Sequence, residues 1–418
     1  MAIDQIELGR RIRQARESCA MTQEEVAGKL GVSRSILVQI EQGKRPVSGL
    51  ELRTLAYLFA RDIREFLADE FAEDDVVRAL FRSHEDVGEE GVRQALRDCI
   101  ALGHELTNLE DALGISRATL TVATYAHAIP RSRWEAIQIG EHVATEERRR
   151  LGLGSAPLGD VSSLIEAQGI RTGTVSMPEA VSGLTISHPN VGPFIVINER
   201  HFPERRRFSW CHEYAHVLLD KDTIGMVSRE AERDDLREVR ANSFAASFLL
   251  PEVGVRQFIA SLGKGAASRM HAEIFDESGV VPIDSRTEPG TQEIQLYDVV
   301  QLAHFYGVSV LSTLYRLRNL KLLSEPEFER LKGMDAEGRS KKIGKLLGFA
   351  PLESVEQRGE FQRRFLALGL EALRREKISQ AKFLELAQRV GVPHWTAQDL
   401  LSNAGIDDAE PQSVLLPD

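Results

Sequence analysis

The sequence predicts a multi-domain protein that is mainly α-helical, with an α+β domain in its middle. Three observations carry this. Apolar residues recur at helical spacing through residues 6–67 and again in most of 68–150 and 294–400. Short β-prone runs bounded by Pro and Gly fall in 174–198. The length, 418 residues, calls for two to four separate cores at roughly 100–200 residues per domain. A hydrophobic fraction of 42% and a charged fraction of 28% are those of a globular chain and exclude a disordered or collagen-like one. No run of apolar residues is long enough to span a bilayer, and the start, MAIDQIELGRRIRQ, lacks the apolar stretch of a signal peptide. Cys19, Cys99 and Cys211 form no C-x-x-C pair, which fits a reducing compartment, so the expected location is the cytoplasm.

Charge separates the regions. The chain carries a net charge of −11, yet residues 1–67 hold eleven Lys and Arg against nine Asp and Glu. An acidic molecule repels nucleic acid, so a DNA contact is expected only from this first segment. Ile6, Leu8, Ile12 and Ala15 mark a first amphipathic helix. Thr22 followed by Glu25 forms a capping box that starts a second helix, and Gly31 supplies the left-handed turn that ends it. Ser33 is expected to cap a third helix over 34–42, closed by Gly43, and two more follow over 50–59 and 63–67. Two short helices joined through a glycine turn make a helix-turn-helix, whose second helix fits the major groove of DNA.

Residues 22–45, TQEEVAGKLGVSRSILVQIEQGKR, resemble the lambda-repressor-like (Xre-type) DNA-binding family, and so imply a lambda-repressor-like helical bundle. In that family the start of the recognition helix reads bases, which maps to Ser33, Arg34, Ser35 and Gln39. The resemblance also places Gln23 against a phosphate and Lys44 and Arg45 near the DNA backbone. Arg34 can pair bidentately with guanine and Gln39 with adenine. The alternative is that these are ordinary solvated side chains on a helical bundle. A homodimer on a two-fold symmetric, nucleoid-borne operator is the expected DNA-bound form.

From 68 to 150 helices are expected over 75–81, 91–113 and 134–151, without evident chemistry. His84, His104, His127 and His142 lack metal-ligand spacing and read as structural or solvated. After Gly152-Leu153-Gly154 the pattern changes to a helix over 161–168, a turn at 169–171 and strands over 174–175, 183–187 and 194–198. The polar, acidic stretch 263–293 reads as a long loop. A helical pair over 296–306 and 309–317 follows, and then a helical end that becomes ragged near PQSVLLPD.

Residues 208–220 read FSWCHEYAHVLLD. On a helix His212 and His216 lie one turn apart on one face, so both imidazoles reach one zinc ion while Glu213 stands beside them to polarise water. Trp210, Tyr214, Val217 and Leu218 form the opposite, apolar face. A catalytic zinc takes a third protein ligand. Residues 238–251, EVRANSFAASFLLP, form a helix whose buried stripe is Ala241, Ala245, Phe248 and Leu249, and Glu238 extends that stripe by one turn. A carboxylate in such a place asks for a cation. Asp234 is the other candidate, as ligand or as partner of a histidine, and Glu238 could instead reach into solvent beside Arg237 and Arg240.

The span 181–323 resembles the ImmA/IrrE family of zinc-dependent peptidases: a strand ending in Asn198, Arg207-Phe208-Ser209 before HEYAH, the E-x-x-A-N-x-F-A-A-x-x-L-x-P helix, and the helical pair ending in LYRLRNLKLL. The resemblance implies a zincin-like domain in which His212, His216 and Glu238 hold Zn2+ and Glu213 is the catalytic base. Ser209 and Cys211 stand where the family often has Thr and Ala, and Cys211 is expected to pack. The strand 194–198 offers an edge for an extended peptide, and His188 is a weak candidate oxyanion donor. The domains expected are 1–68 for DNA binding, 69–151 as helical linker and dimerisation region, 152–262 as zincin-like domain, 263–293 as acidic loop, 294–340 as helical pair and 341–418 as C-terminal helices. The function implied is a DNA-binding transcription regulator with a zinc endopeptidase that cleaves a helix-turn-helix repressor, itself or another. The alternatives are a ligand- or metal-sensing regulator without proteolysis, and a scaffold or antitoxin with a structural metal.

Overall fold

The computed structural model describes residues 3–19, 21–59, 61, 63–68, 90–115, 122–188, 192–220, 225–229, 234–265, 269–276, 279–286, 292–349 and 360–405. The expected helix over 75–81, His84 and the segment PQSVLLPD lie outside these residues. None of the described helices is long and apolar enough to cross a membrane.

Five short helices open the chain: α1 Gln5–Ser18, α2 Gln23–Leu30, α3 Arg34–Glu41, α4 Gly49–Leu58 and α5 Ile63–Leu67. Local signals set their ends. The Thr22–Glu25 capping box starts α2, and Gly31, at φ 72°, closes it. A second box, Ser48 with Glu51, starts α4. Ile12, Ala15, Val26, Leu37, Ile40, Leu55, Phe59 and Phe66 fill the bundle. Buried polar links cross it as well: Arg16 Nε donates to Glu41 Oε1 at 2.6 Å and Arg16 Nη1 to the Met21 carbonyl at 2.9 Å.

The α+β part is a four-stranded sheet of β1 Arg171–Val175, β2 Val181–His188, β3 Gly192–Asn198 and β4 Gly225–Arg229. Its order is β1-β3-β2-β4, with β1 parallel to β3 and the other pairs antiparallel. Thus β3 is internal, and the edges are β1 and β4. The expectation that 194–198 is a free edge is corrected, because β1 returns alongside it. Strand alternation divides the sheet between two cores. Phe194, Val196, Leu184 and Ile186 pack toward the helices Glu90–Leu113 and Glu360–Arg374, with Ile100, Leu106, Phe365 and Ala372. Ile195 and Ile197 pack toward the HExxH helix, Pro203–Leu219, and the helix Leu236–Leu249 that bears Glu238.

Three further features depart from the sequence expectations. Within 263–293 an antiparallel hairpin of β5 Arg269–Asp276 and β6 Gly279–Arg286 replaces the loop. Its acidic composition hid an alternating pattern, Met270, Ala272 and Ile274 against His271 and Glu273, that suits a strand. The helix Arg133–Arg150, assigned from sequence to a linker, packs Val143 and Ala144 into the core of the HExxH helix. The strand β4 and the helix Glu252–Ser261 had not been expected. The pair Leu296–Tyr306 and Val310–Asn319 joins this same core through Leu302, Leu314 and Leu317.

Candidate functional site

The HExxH helix has Pro at its first turn, where the missing N–H costs nothing. Its apolar face, Trp210, Cys211, Tyr214 and Leu218, is buried in the main core, so Cys211 packs as expected. The Tyr214 hydroxyl donates to Glu147 of the helix Arg133–Arg150. Burial and that carboxylate push the Tyr214 pKa well up. His212, Glu213 and His216 are also buried. The histidine face therefore turns toward the neighbouring helix Leu236–Leu249.

Three side chains converge there. His212 Nε2 lies 3.0 Å from Glu238 Oε2, His216 Nε2 lies 3.2 Å from Glu238 Oε1, and the two Nε2 atoms are 3.1 Å apart. Glu238 faces this point and not the solvent, being 5% exposed. Asp234, the other sequence candidate, is exposed and pairs with Arg133 Nη1 at 3.0 Å. It precedes the first turn of the Glu238 helix, so its side chain leaves along the surface.

The outer nitrogens of the imidazoles decide what the inner ones present. His212 Nδ1 faces Asn242 Oδ1 at 3.0 Å, and His216 Nδ1 faces Asp220 Oδ2 at 2.9 Å. Both partners accept, so each Nδ1 carries the proton and each Nε2 turns a lone pair inward. Two such lone pairs at 3.1 Å, beside a carboxylate, make a site suited to a cation. A tetrahedral ion with ligands at about 2.0–2.1 Å has donor separations near 3.3 Å, and the cluster fits one. Arg240 Nη2 donates to Asp220 Oδ1 at 2.6 Å and steadies the outer partner. Burial opposes charge on His216, but the bonds to Asp220 and Glu238 prevail and push the metal-free imidazole up to about 10. Burial also opposes charge on Glu238, yet the two histidines hold it well below the usual carboxylate range.

Glu213 stands on the sheet side. Its Oε2 accepts from Thr185 Oγ1 of β2 at 2.6 Å. Gly183 makes room for it, since a Cβ there would fall 2.6 Å from Glu213 Oε1. Thr185, Gly183, Asp220, Asn242 and Arg240 were missed in the sequence. Asp220 and Asn242 follow His216 and Glu238 at i+4, and that spacing is a usable signal. Nothing local marks Thr185 or Gly183. The side chain of His188 lies outside the described ones. Of the other histidines, His104 is buried, and His127 meets His142 edge-on at 6.1 Å between ring centroids.

On the recognition helix α3, Ser33, Arg34, Ser35, Gln39 and the following Lys44 are exposed, while Leu37, Ile40 and Glu41 are buried. Ser33 stands at the N-cap, but its hydroxyl contacts Ser35 Oγ at 2.9 Å and makes no capping bond. Gln23 Nε2 donates to Glu41 Oε2 at 2.8 Å, and Arg45 Nη2 pairs with Glu51 at 2.9 Å. These two are tied into the bundle, whereas the other five form its solvent face.

Fold and site together define a class: a helix-turn-helix bundle joined to an HExxH module with a distal glutamate. Residues 165–318 match the family described as IrrE N-terminal-like domain, and residues 7–66 match the family described as helix-turn-helix domain. The chain contains both domains. No curated protein matches it in sequence. Among solved structures it is similar to ComR from Streptococcus suis, at 11% identity over 97% of each chain, with a TM-score of 0.16, a superposition too poor to carry an argument.

Proposed function

We propose that this protein is a DNA-binding transcription regulator whose second module is a zinc-dependent endopeptidase acting on a helix-turn-helix repressor, itself or another. The observation that carries the reading is Glu213, a carboxylate beside the ligand histidines with one oxygen held by Thr185 and the other, Oε1, without a partner among the described residues. A structural metal site has no use for such a group; hydrolysis has. His212, His216 and Glu238 are the zinc ligands. The ion, when bound, supplies Lewis-acid activation of water and of the scissile carbonyl. Glu213 Oε1 takes the proton of the attacking water and returns it to the leaving amine, while Thr185 keeps the carboxylate from turning away. Glu213→Gln keeps the shape and removes the base. Zinc content and operator binding should be unchanged while hydrolysis falls by about 10²–10⁴-fold. Unaltered cleavage of a repressor substrate would refute the role.

DNA binding belongs to the exposed face of α3, through Ser33, Arg34, Ser35, Gln39 and Lys44, in a homodimer on a two-fold operator in the cytoplasm. The helices Glu90–Leu113 and Glu360–Arg374 join the bundle to the sheet. A second reading, a sensor without proteolysis, is favoured by one observation. A cavity of about 740 Å³ is lined by Arg53 and Tyr57 of α4, Asp98, Thr174 of β1, and Gln362 and Arg389 of the C-terminal helices. A ligand there would touch both the DNA-binding bundle and the sheet. A transcriptional response that survives Glu213→Gln in cells selects this second reading.

A further inference from the structure

We infer that Ser228 is a positioning residue for Glu213 and acts through one buried water held between Ser228 Oγ and Glu213 Oε1. The inference rests on reading Glu213 as the base. Two polar atoms carry it. Glu213 Oε1 and Ser228 Oγ both lack a hydrogen-bond partner among the described residues, in side chains 0% and 2% exposed. Buried polar groups are nearly always paired, so two unpaired ones side by side point to a shared partner.

Register puts them side by side. In the β2–β4 pair Gly183 lies opposite Ser228, and directly opposed residues send their side chains to the same face. That face is the one Thr185 uses to reach Glu213, while Leu184 and Ile186 turn into the other core. The space of the missing Gly183 Cβ is taken up by the end of Glu213, whose Oε1 would lie 2.6 Å from it. The Cβ of a cross-strand partner stands about 4.5–5.5 Å from that point, so Ser228 and Glu213 Oε1 border the same spot on this face of the sheet. A buried water needs two to four polar partners, and these two atoms supply the first two. The β2–β4 register shifts between Val181 and Gly183, and such an irregularity re-aims neighbouring side chains.

With Thr185 on one oxygen and the bridged Ser228 on the other, the carboxylate has a single orientation. An ionised carboxylate oxygen accepts two hydrogen bonds, so Oε1 keeps a lone pair for the reacting proton. The test uses the full-length, zinc-loaded protein and two measurements. In crystals of the wild type, a solvent peak is expected within hydrogen-bond distance of both atoms, and it should vanish in Ser228→Ala. In kinetics, Ser228→Ala should lower kcat about tenfold with KM unchanged, as outer-shell partners do, and Ser228→Thr should restore it. Zinc content and thermal unfolding establish that each variant is folded, and Ser228→Cys serves where the Thr methyl does not fit. A wild-type structure with no such peak overturns the inference, as does a Ser228→Ala enzyme of full kcat. A wild type that hydrolyses nothing overturns the endopeptidase reading instead, and the solvent peak still decides whether the bridge exists.

Discussion

The recognition helix and the metal centre present polar side chains in opposite ways. On α3 the five candidate DNA contacts stand in solvent, and the helix is held from behind by Leu37 and Ile40 and by the Arg16–Glu41 pair. In the metal centre His212, Glu213, His216 and Glu238 are buried, and polar neighbours hold three of them: Asn242 of the next helix holds His212, Asp220 at the C-cap of the same helix holds His216, and Thr185 of β2 holds Glu213. A surface that binds a polyanion needs freedom to adjust and is paid for by charge. A site that must hold one cation needs its ligands fixed before the ion arrives. Changes at the first should therefore act on affinity and preference, and changes at the second on occupancy.

The sharpest break between the two regions is His216→Ala. Elemental analysis should show zinc falling from one ion per chain to almost none, with operator binding by the same protein unaltered. Stoichiometric zinc in that variant would remove the ligand assignment. The reverse experiment is Glu41→Ala, which takes from buried Arg16 its shortest ion pair and leaves it the Met21 carbonyl and the half-exposed Glu17. Breaking a buried pair from one side costs about 3–5 kcal/mol, so the N-terminal bundle should unfold first in a denaturant titration while zinc stays bound.

Outer support of the metal can be measured separately. Asp220→Ala should weaken zinc binding by about 10–100-fold in a competition titration with a chelator. Affinity should also depend on pH with a definite sign. The metal-free His216 pKa, raised to about 10 by its carboxylate partners despite burial, means that the ion displaces a proton at neutral pH. Affinity therefore falls roughly tenfold per unit as pH drops from 9 to 7, and a flat profile would show that His216 is not protonated in the metal-free site. The smallest effects belong to the DNA face. Arg34→Ala should cost about 1–3 kcal/mol at one base position and relax preference there, whereas Lys44→Ala should weaken all sequences alike and reduce the salt slope by about one.

The same contrast governs what could be read from the chain. The helix-turn-helix was legible because its signals are local: Thr22 with Glu25, Gly31, and apolar residues three and four apart all act within one or two turns. His212 and His216 were legible for the same reason, and Glu238 because it continues a buried stripe. Asp220 and Asn242 lay within reach of the same i+4 rule, but which side chain each would meet was fixed only when their neighbours were placed. The hairpin in 263–293 was misread because composition was weighed above alternation.

By itself, then, the sequence determined the elements whose causes lie within a few residues: the helix caps, the left-handed glycine turn, the paired histidines and the division of charge between a +2 start and an acidic remainder. Only the tertiary structure decided that β1 returns beside β3, that the helix Arg133–Arg150 joins the metal module's core, and that Gly183 and Thr185 of β2 meet Glu213. These contacts join residues far apart in the chain. Their partners are selected by packing and by the need to satisfy buried polar atoms, conditions that exist only once the chain has closed on itself.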